Sequence, residues 1–453
     1  MKPSNFLYHF NLILFFCLTT SCATFSQTVN VKQFGAEGDG KTDDSKAIQA
    51  AMEQAKRKGS TLYFPTGIFL VSNIEITTDL KGEKNTIIKK IDDGKLSRYV
   101  FCNIRNQDSL HISDITFDGS VQTDTKGEPT TGSIPLFIYN SNYIEISNCT
   151  FMNSPMSGLR IESSSHIKLS SCTAKGSKGN FGDGFYFDGS HFVNVEGCTA
   201  DDYTRIGFVT EQGSSDFIFK NCTAMNGHNA SILTGGREYN AGFWYENSQK
   251  ITTISCTSTN NTHIGFVATT GKKVESKNLE SLAEFKFTNC VSNKSPIGFQ
   301  LSSSGKAVNM ILADCQVNDA ARGYIATARD VNDQFDFRNC KVSLIQLSTR
   351  ALNNMGFMWE SPITVKAVSY KKLPTFNYKN CYVHYEEPVN STHLFDRNNN
   401  NGDISTYTGG KANINVVNLR NSLRTGNTII KARRGSPTYN LKRTKADPRF
   451  IKK

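Results

Sequence analysis

Four acidic residues share one position in a phrase that recurs along the chain. The phrase occurs eight times in the 453 residues, each time as a glycine, a large apolar residue directly after it, and a polar or acidic residue four places after it. In four consecutive copies that last residue is Glu162, Asp188, Glu211 or Glu246. Since alternate residues of a strand point to opposite faces and neighbouring strands lie about 4.8 Å apart, stacked copies predict one outward column of carboxylates. Such a column is either a row of solvated strand ends or a site for a ligand, a cation or a shared proton.

Paired carboxylates are the groups that hydrolysis of a glycosidic bond requires, one protonated and the other ionised. Separations of about 5–5.5 Å accompany retention and about 6.5–9.5 Å accompany inversion. Neighbours in the column suit the first distance and next-but-one neighbours approach the second, so the sequence leaves the stereochemistry open. We predict Asp188 and Glu211 as the catalytic pair and Glu246 as a third candidate, because crowding raises the pKa of one carboxyl group.

Three side chains stand two places after a glycine of the phrase and are expected to face solvent beside the column: Arg160, Tyr186 and Trp244. Aromatic rings in such a groove can pack against sugar faces. Trp244 is one of two tryptophans in the chain, and an outward-facing tryptophan indicates a binding surface. We therefore predict these three residues and Glu162 as substrate-binding residues.

A long insertion adds further candidates at the edge of the same strands. The interval from a cysteine to the next glycine phrase is usually 8 or 9 residues, but it is 20 between Cys222 and Gly242. Long loops on a rigid scaffold often carry function. The insertion supplies His228 as a catalytic candidate, and Arg237 and Tyr239 as substrate-binding candidates.

A second phrase ends in cysteine and indicates how the strands are arranged. Its nine copies end at Cys149, Cys172, Cys198, Cys222, Cys256, Cys290, Cys315, Cys340 and Cys381. Two strands with period 2 in each unit of about 25 residues predict a solenoid of parallel strands, in which stacking supplies the core. Ile115 occupies the cysteine position of the preceding unit, so this position is predicted to face inward as a ladder of unpaired thiols. Disulfides or metal binding are the alternatives.

An amphipathic helix is predicted before the first repeat. Its apolar residues fall at helical spacing, namely Ala47, Ile48, Ala51, Met52 and Ala55. Asp43 or Asp44 can cap its start and Gly59 its end. A helix at this point would cover the open end of the solenoid, which otherwise exposes unpaired strand edges.

The segments on either side of this helix, FGAEGDGKTDD and FPTGIF, closely resemble the first segment of the pectate-lyase-like superfamily. The resemblance covers residues 29–72 by motif and about 110–383 by repeat. It implies an all-β fold, a right-handed parallel β-helix with an N-terminal capping helix. The superfamily includes polysaccharide lyases, family 28-type glycoside hydrolases, uronan epimerases and phage tailspikes, so the resemblance is specific for the fold and not for the reaction.

The match to the family 28-type hydrolases is partial. That family has an aspartate before the glycine of an NTDG phrase, an aspartate pair in the next unit and a GHG histidine in the third. Asp183 matches the first of these, but Asp201 and Asp202 come several residues too early for the second, where Arg205 stands instead. His228 lies well upstream of the third position. The mechanism of that family is therefore not carried over intact, and Asp183, Asp202 and His228 remain further catalytic candidates.

Two other classes of function stay open. In a lyase or epimerase, as the resemblance to β-helix lyases implies, the acidic column would hold Ca²⁺ and Arg160 or Arg237 would act as base or charge clamp. His228 or Tyr239 would then donate a proton. A solenoid that binds glycans without catalysis is the third class, against which the insertion and the clustered acids argue. Hydrolysis is the preferred interpretation, and it is expected to need no cofactor or metal.

The amino-terminal residues predict export. A basic start, an apolar run at 12–18 and small residues after it are typical of a secretory signal over residues 1–26. Cleavage follows Ser26 or, as in a lipoprotein, precedes Cys22, which would then carry a lipid anchor. We expect a protein that is secreted, periplasmic or anchored at the outer membrane, with no transmembrane segment once the signal is removed.

The carboxy-terminal residues carry the net charge. Twelve basic residues and one acid lie between Ile404 and Lys453, which equals the +11 of the whole chain, so residues 1–403 are neutral on balance. This balance argues against a nucleic-acid partner for the body, and we expect a monomer with a polysaccharide as its partner. The predicted units are a signal (1–26), an N-terminal cap with the first strands (27–90), the β-helix (91–383) and a basic cap or tail (384–453). The tail is either solvated or in contact with acidic glycans or an anionic surface.

Overall fold

The computed structural model describes residues 28–228, 240–270, 282–304, 306–345, 355–360, 373–385, 404–406, 412–421, 430–432 and 439–444. Within these ranges the chain forms a right-handed parallel β-helix, as predicted from the repeat and the resemblance. Each coil contributes one strand to each of three parallel sheets, which we call sheets A, B and C. The chain passes from sheet C to sheet A, then to sheet B, and returns to sheet C one coil further on.

The strands of each sheet pair with the equivalent strands of the coils before and after. Sheet A comprises Thr28–Asn30, Thr61–Tyr63, Leu80–Lys81, Asp108–Ser113, Asn142–Ser147, Ser165–Ser170, His191–Glu196, Ser215–Lys220, Gln249–Ile254, Leu282–Thr288, Ala307–Ala313, Gln334–Arg338, Thr375–Lys379, Ala412–Val417 and Tyr439–Thr444. Sheet B comprises Asp39–Asp43, Gly67–Val71, Thr86–Lys90, Thr116–Asp118, Thr150–Met152, Thr173–Ser177, Thr199–Tyr203, Thr223–Met225, Thr257–Thr259, Val291–Asn293, Gln316–Ala320, Lys341–Leu344, Tyr382–Tyr385 and Arg420–Asn421.

Sheet C bears the acidic column. It comprises Ile74–Glu75, Cys102–Arg105, Leu136–Tyr139, Leu159–Glu162, Phe185–Asp188, Ile206–Glu211, Ala241–Glu246, Ile264–Thr269, Ile297–Ser302, Arg322–Thr327, Met355–Glu360, Ile404–Thr406 and Ile430–Ala432. A separate pair of strands, Leu96–Val100 and Gly132–Ile134, lies outside the three sheets. All three sheets continue past Val383, so the parallel pairing extends into the segment for which a cap or tail is predicted.

The interior is built from files of like residues, one from each coil. In six consecutive copies of the phrase the aromatic residue directly after the glycine faces inward, and the rings stack with centroids 4.6–5.1 Å apart in the file Phe185, Phe208, Phe243, Phe266, Phe299 and Tyr324. The nine cysteines of the second phrase are buried and unpaired, as is Cys102. The inward orientation predicted for both positions is confirmed, and it fixes which residues of sheet C point out.

The predicted capping helix spans Ser45–Lys58. Its buried residues are Ile48, Ala51, Met52 and Ala55, and it packs on the first strands of sheet A. Gly59 ends it in a left-handed conformation, as predicted. At the start, the Asp43 carboxylate accepts from Ser45 N, whereas the Asp44 carboxylate accepts from the loop amides of Glu37 and Gly38. Helices within the described ranges are too short or too polar to span a bilayer.

Candidate active site

The four carboxylates of the glycine phrase occupy one register of sheet C. Glu162 pairs with Asp188, and Asp188 pairs with Glu211. On the next strand Trp244 pairs with Val209, which places Glu246 beside Glu211, and Glu246 pairs in turn with Thr269. The predicted column is therefore confirmed. It arises because four coils of unequal length all restart at the same inward position, which Leu159 or a phenylalanine occupies.

A tyrosine hydroxyl joins the two carboxyl groups at the middle of this column. The Tyr186 hydroxyl lies 3.0 Å from Glu211 Oε2 and 3.2 Å from Asp188 Oδ2. The hydroxyl has one proton to share between the two carboxyl groups. Two negative charges on neighbouring strands disfavour each other, so this arrangement favours a state in which one carboxyl group of the pair is protonated and the other is ionised.

Arg205 makes the two members of the pair different. Its guanidinium binds Asp183 through two hydrogen bonds, of 2.8 Å from Nε and 2.6 Å from Nη2, and the same Nη2 lies 3.7 Å from Glu211 Oε1. The Asp183 side chain is 1% exposed and that of Arg205 is 18% exposed, so little water screens this contact. Arg205 therefore favours the ionised form of Glu211, whereas the cation that acts on Asp188 is Arg160.

Burial changes the pKa values of the ionisable side chains around Tyr186. It raises the pKa of Glu211, against the lowering effect of Arg205 and of the Tyr186 hydroxyl. It also raises the pKa of Asp188, and the negative charge of Glu162 adds to that shift. The pKa of Tyr186 is raised by burial and by both carboxylates, so the phenol stays protonated. Burial would lower the pKa of Arg205, but Asp183 outweighs it and the pKa is raised.

The outer members of the column are bound to donors. Arg160 Nε donates to Glu162 Oε1 at 2.5 Å, and its guanidinium lies 4.1 Å from the centre of the Tyr186 ring. Trp244 Nε1 donates to Glu246 Oε2 at 3.1 Å. Each of these residues lies two positions before the acid it serves, so both point out of the same face of the strand.

One expectation about this face is wrong. Arg160 and Trp244 are partly exposed, as expected, but Tyr186 is only 6% exposed, and Val209 and Val267, at the same position in other coils, are 0% and 2% exposed. Tyr186 and Val209 form a small apolar cluster with Ile206, against which Trp244 packs. Tyr186 is thus placed to position the carboxyl pair rather than to lie as an open platform under a sugar.

The further catalytic candidates Asp202 and His228 lie at the corner between sheets B and C. Asp202 is on sheet B, where it accepts from Lys178 Nζ at 2.9 and 3.0 Å and lies 3.5 Å from His228 Nδ1. Asp202 and His228 are therefore brought together, while the position that the hydrolase pattern gives to an aspartate pair is taken by Arg205. Arg237 and Tyr239 lie outside the described residues.

Sequence reasoning missed Arg205 and Phe181 as parts of the site. The Arg205 guanidinium lies 5.2 Å from the centre of the Phe181 ring, which is 51% exposed at the edge of the group. A basic residue directly before a strand of an acidic column was the available signal for Arg205. In the part of the chain that the structure describes, no three His, Cys, Asp or Glu side chains come close enough together to hold a metal ion.

Residues 28–235 match the family model of rhamnogalacturonase A/epimerase, pectate lyase-like proteins. Over these residues the match confirms the resemblance to the pectate-lyase-like superfamily seen in the sequence.

Curated relatives in this superfamily differ in their reactions. The chain is 42% identical over 127 residues to alginate lyase 7 of Azotobacter vinelandii, covering 23% of the chain and 14% of the relative. It is 31% identical over 229 residues to an exopolygalacturonase of Arabidopsis thaliana, covering 46% of the chain and 50% of the relative. The chain thus spans at most half the length of either relative.

A solved structure supports the fold over most of the chain. The exopolygalacturonase of Thermotoga maritima matches with a TM-score of 0.55 and 12% sequence identity, covering 88% of this chain and 93% of that one. At this identity the likeness bears on the β-helix and not on the reaction.

Proposed function

We propose that the protein hydrolyses glycosidic bonds of a polysaccharide, with Asp188 as proton donor and Glu211 as the ionised carboxylate. The observation that carries this proposal is the Tyr186 hydroxyl shared between the two groups, with Arg205 beside only one of them. The column thus supplies the two protonation states that glycoside hydrolysis requires, on neighbouring strands of one rigid sheet.

The roles follow from the charges around each group. Asp188 lies between Glu162 and Glu211 in the column, and burial and the charge of Glu162 raise its pKa, against the lowering effect of Tyr186 and Arg160. Glu211 has Arg205 as a counter-charge and Tyr186 as a donor, and both favour its ionised form. The proton that the arrangement favours therefore belongs on Asp188.

The spacing of adjacent strands suits a retaining mechanism. Carboxyl groups about 5–5.5 Å apart accompany a covalent intermediate. Glu211 would attack the anomeric carbon while Asp188 gives its proton to the departing glycosidic oxygen. The ionised Asp188 would then take a proton from water, which attacks the same carbon and releases Glu211. Tyr186 and Arg205 hold Glu211 in its ionised form before the first step and after the second.

Support from the relatives is at the level of the class. The relatives include two polygalacturonases, which are hydrolases by name. The match to one of them covers half of its length. Arg205 replaces part of the expected family 28-type pattern, so the roles above rest on the contacts of this chain and not on that pattern.

Elimination by a lyase is the second candidate. Arg160 lies over the Tyr186 ring and Arg205 lies near Glu211, and a segment of the chain is 42% identical to an alginate lyase. Their charges could neutralise a uronate carboxylate. Arg205 is a poor base, because Asp183 raises its pKa, so a lyase would need another group to take the C5 proton. In such a lyase the acidic column would hold Ca²⁺.

Products distinguish the two reactions. The purified protein is incubated with a panel of polysaccharides, including polygalacturonate, alginate and neutral glucans, with and without EDTA. Hydrolysis gives new reducing ends without ultraviolet absorbance from an unsaturated sugar, and EDTA has no effect. An EDTA-sensitive ultraviolet signal would replace the proposal by the lyase. Epimerisation would change sugar composition without either signal, and unchanged polymers throughout would point to the glycan-binding solenoid.

Export, lipid attachment at Cys22 and the role of the basic tail stay predictions. Residues 1–27 and 445–453 lie outside the described part of the chain. Fractionation of the native host followed by amino-terminal sequencing of the mature protein tests the first two.

A further inference from the structure

Three aromatic side chains form an exposed stack at the corner where sheet C leads into sheet A. Tyr143, His166 and Phe192 are each the second residue of a sheet A strand in three successive coils. Ring centroids lie 4.5 Å apart between Tyr143 and His166 and 5.0 Å apart between His166 and Phe192, with planes 20° and 24° from parallel. Tyr143 and Phe192 are each 56% exposed, so these rings are held in water rather than in a core.

The turn does not explain why these side chains are aromatic. Their φ angles are 54°, 54° and 55°, a left-handed conformation that is unfavourable for bulky residues. Ser109 and Asp216 occupy the same position in the coils on either side, with φ of 59° and 61°. Small polar residues can therefore adopt this backbone conformation, and the turn does not require an aromatic residue. Three consecutive aromatic residues in an exposed, strained position indicate a surface that is used.

Polar side chains lie directly beside the rings. Each residue that precedes a ring is polar, namely Asn142, Ser165 and His191. The Ser165 hydroxyl donates to Asn142 Oδ1 at 2.6 Å, and Asn142 Nδ2 donates to Asp108 Oδ1 at 3.0 Å. Aromatic surface next to amide, hydroxyl and carboxylate groups is the combination that recognises a sugar, whose ring has apolar faces and a polar rim.

The stack is continuous with the acidic column. In three coils a residue of the column register is followed four residues later by a ring of the stack: Tyr139 by Tyr143, Glu162 by His166, and Asp188 by Phe192. Tyr139 is itself 42% exposed and pairs with Glu162. A glycan that leaves the column across the edge of sheet C therefore meets the stack directly.

We infer that Tyr143, His166 and Phe192 form a second glycan-binding surface, which holds the polysaccharide beside the acidic column. The stack spans two coil spacings, about 9.6 Å. The outer faces of the end rings lie towards the positions of Ser109 and Asp216, where a sugar ring can continue the stack and hydrogen-bond to the polar side chain. The surface carries no part of the bond cleavage, so the inference does not depend on which reaction the column performs.

Affinity electrophoresis of a variant that cannot cleave its ligand tests this surface. The background is Glu211→Gln, run through gels that contain polygalacturonate, alginate or a neutral glucan. At least one polysaccharide should retard the background, and Tyr143→Ser with Phe192→Ser should weaken that binding about tenfold. Serine is chosen because Ser109 occupies the same position in the preceding coil. Ile218→Ser, which removes another exposed apolar side chain of sheet A, is the matched control and should bind like the background.

Each other outcome overturns the inference. Equal retardation of the double variant, or no retardation of the background by any polysaccharide, would remove the glycan surface. A lower unfolding temperature with unchanged binding would assign the stack to stability. A dimer in gel filtration that the double variant breaks would assign it to a second copy of the chain. The test also distinguishes failure of this inference from failure of the proposed hydrolysis. If the Glu211→Gln background binds a polysaccharide but the parent protein cleaves none, the glycan-binding surface is supported and the hydrolysis is not.

Discussion

Sheet C has two halves that share one interior and differ on the outside. Its earlier strands end in Glu162, Asp188, Glu211 and Glu246, which we call the acidic half. The same register continues in the later strands with Thr269, Ser302 and Thr327, which we call the hydroxyl half. The inward aromatic file runs unbroken through both halves, with similar ring spacings. The fold therefore has no need of the acids.

The hydroxyl half shows how the column is stabilised without charge. The Ser302 hydroxyl donates to Thr269 Oγ1 at 2.9 Å, so neighbouring coils satisfy each other. Carboxylates cannot donate to one another when ionised, and those of the acidic half have other partners. Arg160 donates to Glu162 and Trp244 donates to Glu246, while Asp188 and Glu211 share the Tyr186 hydroxyl and Arg205 lies near Glu211. Elaborate neutralisation in one half of a repetitive sheet argues that its charges are retained for chemistry.

The largest contrast between the halves is expected in activity. Asp188→Asn and Glu211→Gln should each lower kcat/KM about 10³-fold, because each removes one of the two protonation states. Thr269→Val and Ser302→Ala, at the same register in the hydroxyl half, should change it less than about twofold. Initial rates of reducing-end formation on the best polysaccharide of the panel measure both. Equal losses in the two halves would mean that the column acts through folding.

The same variants should not lose stability. Burial and the charge of Glu162 raise the pKa of Asp188 in the folded protein, so its contribution to stability is greatest below the unfolded pKa and falls as pH rises through the folded pKa. Asp188→Asn removes this penalty and should unfold at the same or a higher temperature than the parent at neutral pH. Thermal unfolding followed by circular dichroism provides the measurement.

Arg205 gives the next largest effect. Arg205→Met should lower kcat/KM about 10²-fold, because Glu211 loses the charge that keeps it ionised. The pKa of Glu211 would rise further, so the acid limb of the pH–rate profile should move to higher pH. The same substitution leaves Asp183 buried without a partner and should cost about 3 kcal/mol of stability.

A double variant separates these two roles of Arg205. Asp183→Asn with Arg205→Met removes the unpaired charge and should recover most of the stability but not the activity. The shifted acid limb should persist, since Glu211 still lacks its counter-charge. An activity that returns together with stability would show that Arg205 only holds the loop in place.

The sequence was sufficient for the fold and for the column, because both depend on register. Ile115 in a cysteine position showed that the position is inward, and the large apolar residue after each glycine then assigned Glu162 and Asp188 to the opposite face. The pairings within the site could not be read in this way. Arg205 reaches Asp183 and Glu211 across a turn between sheets, and the path of that turn is not periodic.

The sequence also could not predict which outward-pointing side chains of sheet C are buried. Alternation correctly put Tyr186 and Val267 outside the core, but it cannot show that an outward position is covered by neighbouring chain. Asp202 illustrates the opposite case. Its early position in the repeat was visible in the sequence, and the structure accordingly places it on sheet B with Lys178.

Removing the shared hydroxyl should have a smaller effect than removing Arg205. Tyr186→Phe should lower kcat/KM about tenfold, the value of one hydrogen bond to a charged group. Because the hydroxyl lowers the pKa of both Asp188 and Glu211, both limbs of the pH–rate profile should move to higher pH. Arg205→Met moves the acid limb alone, so the two profiles distinguish a shared donor from a counter-charge. A profile of unchanged position would exclude Tyr186 from the proton arrangement.

The smallest effect comes from copying the acids into the hydroxyl half. Thr269→Glu with Ser302→Asp places two carboxylates on neighbouring strands, where Val267 and Gln300 stand in place of arginine and tyrosine. Like charges directly opposite should destabilise the protein by about 1 kcal/mol at neutral pH. Mutual repulsion raises the folded pKa of both groups, so the loss should disappear as pH falls below their unfolded values. Thr269→Gln with Ser302→Asn is the uncharged control, and urea unfolding at neutral and mildly acidic pH compares the two. A charged variant as stable as its control at neutral pH would mean that sheet C tolerates bare carboxylates, and the donors of the acidic half would then lose their significance.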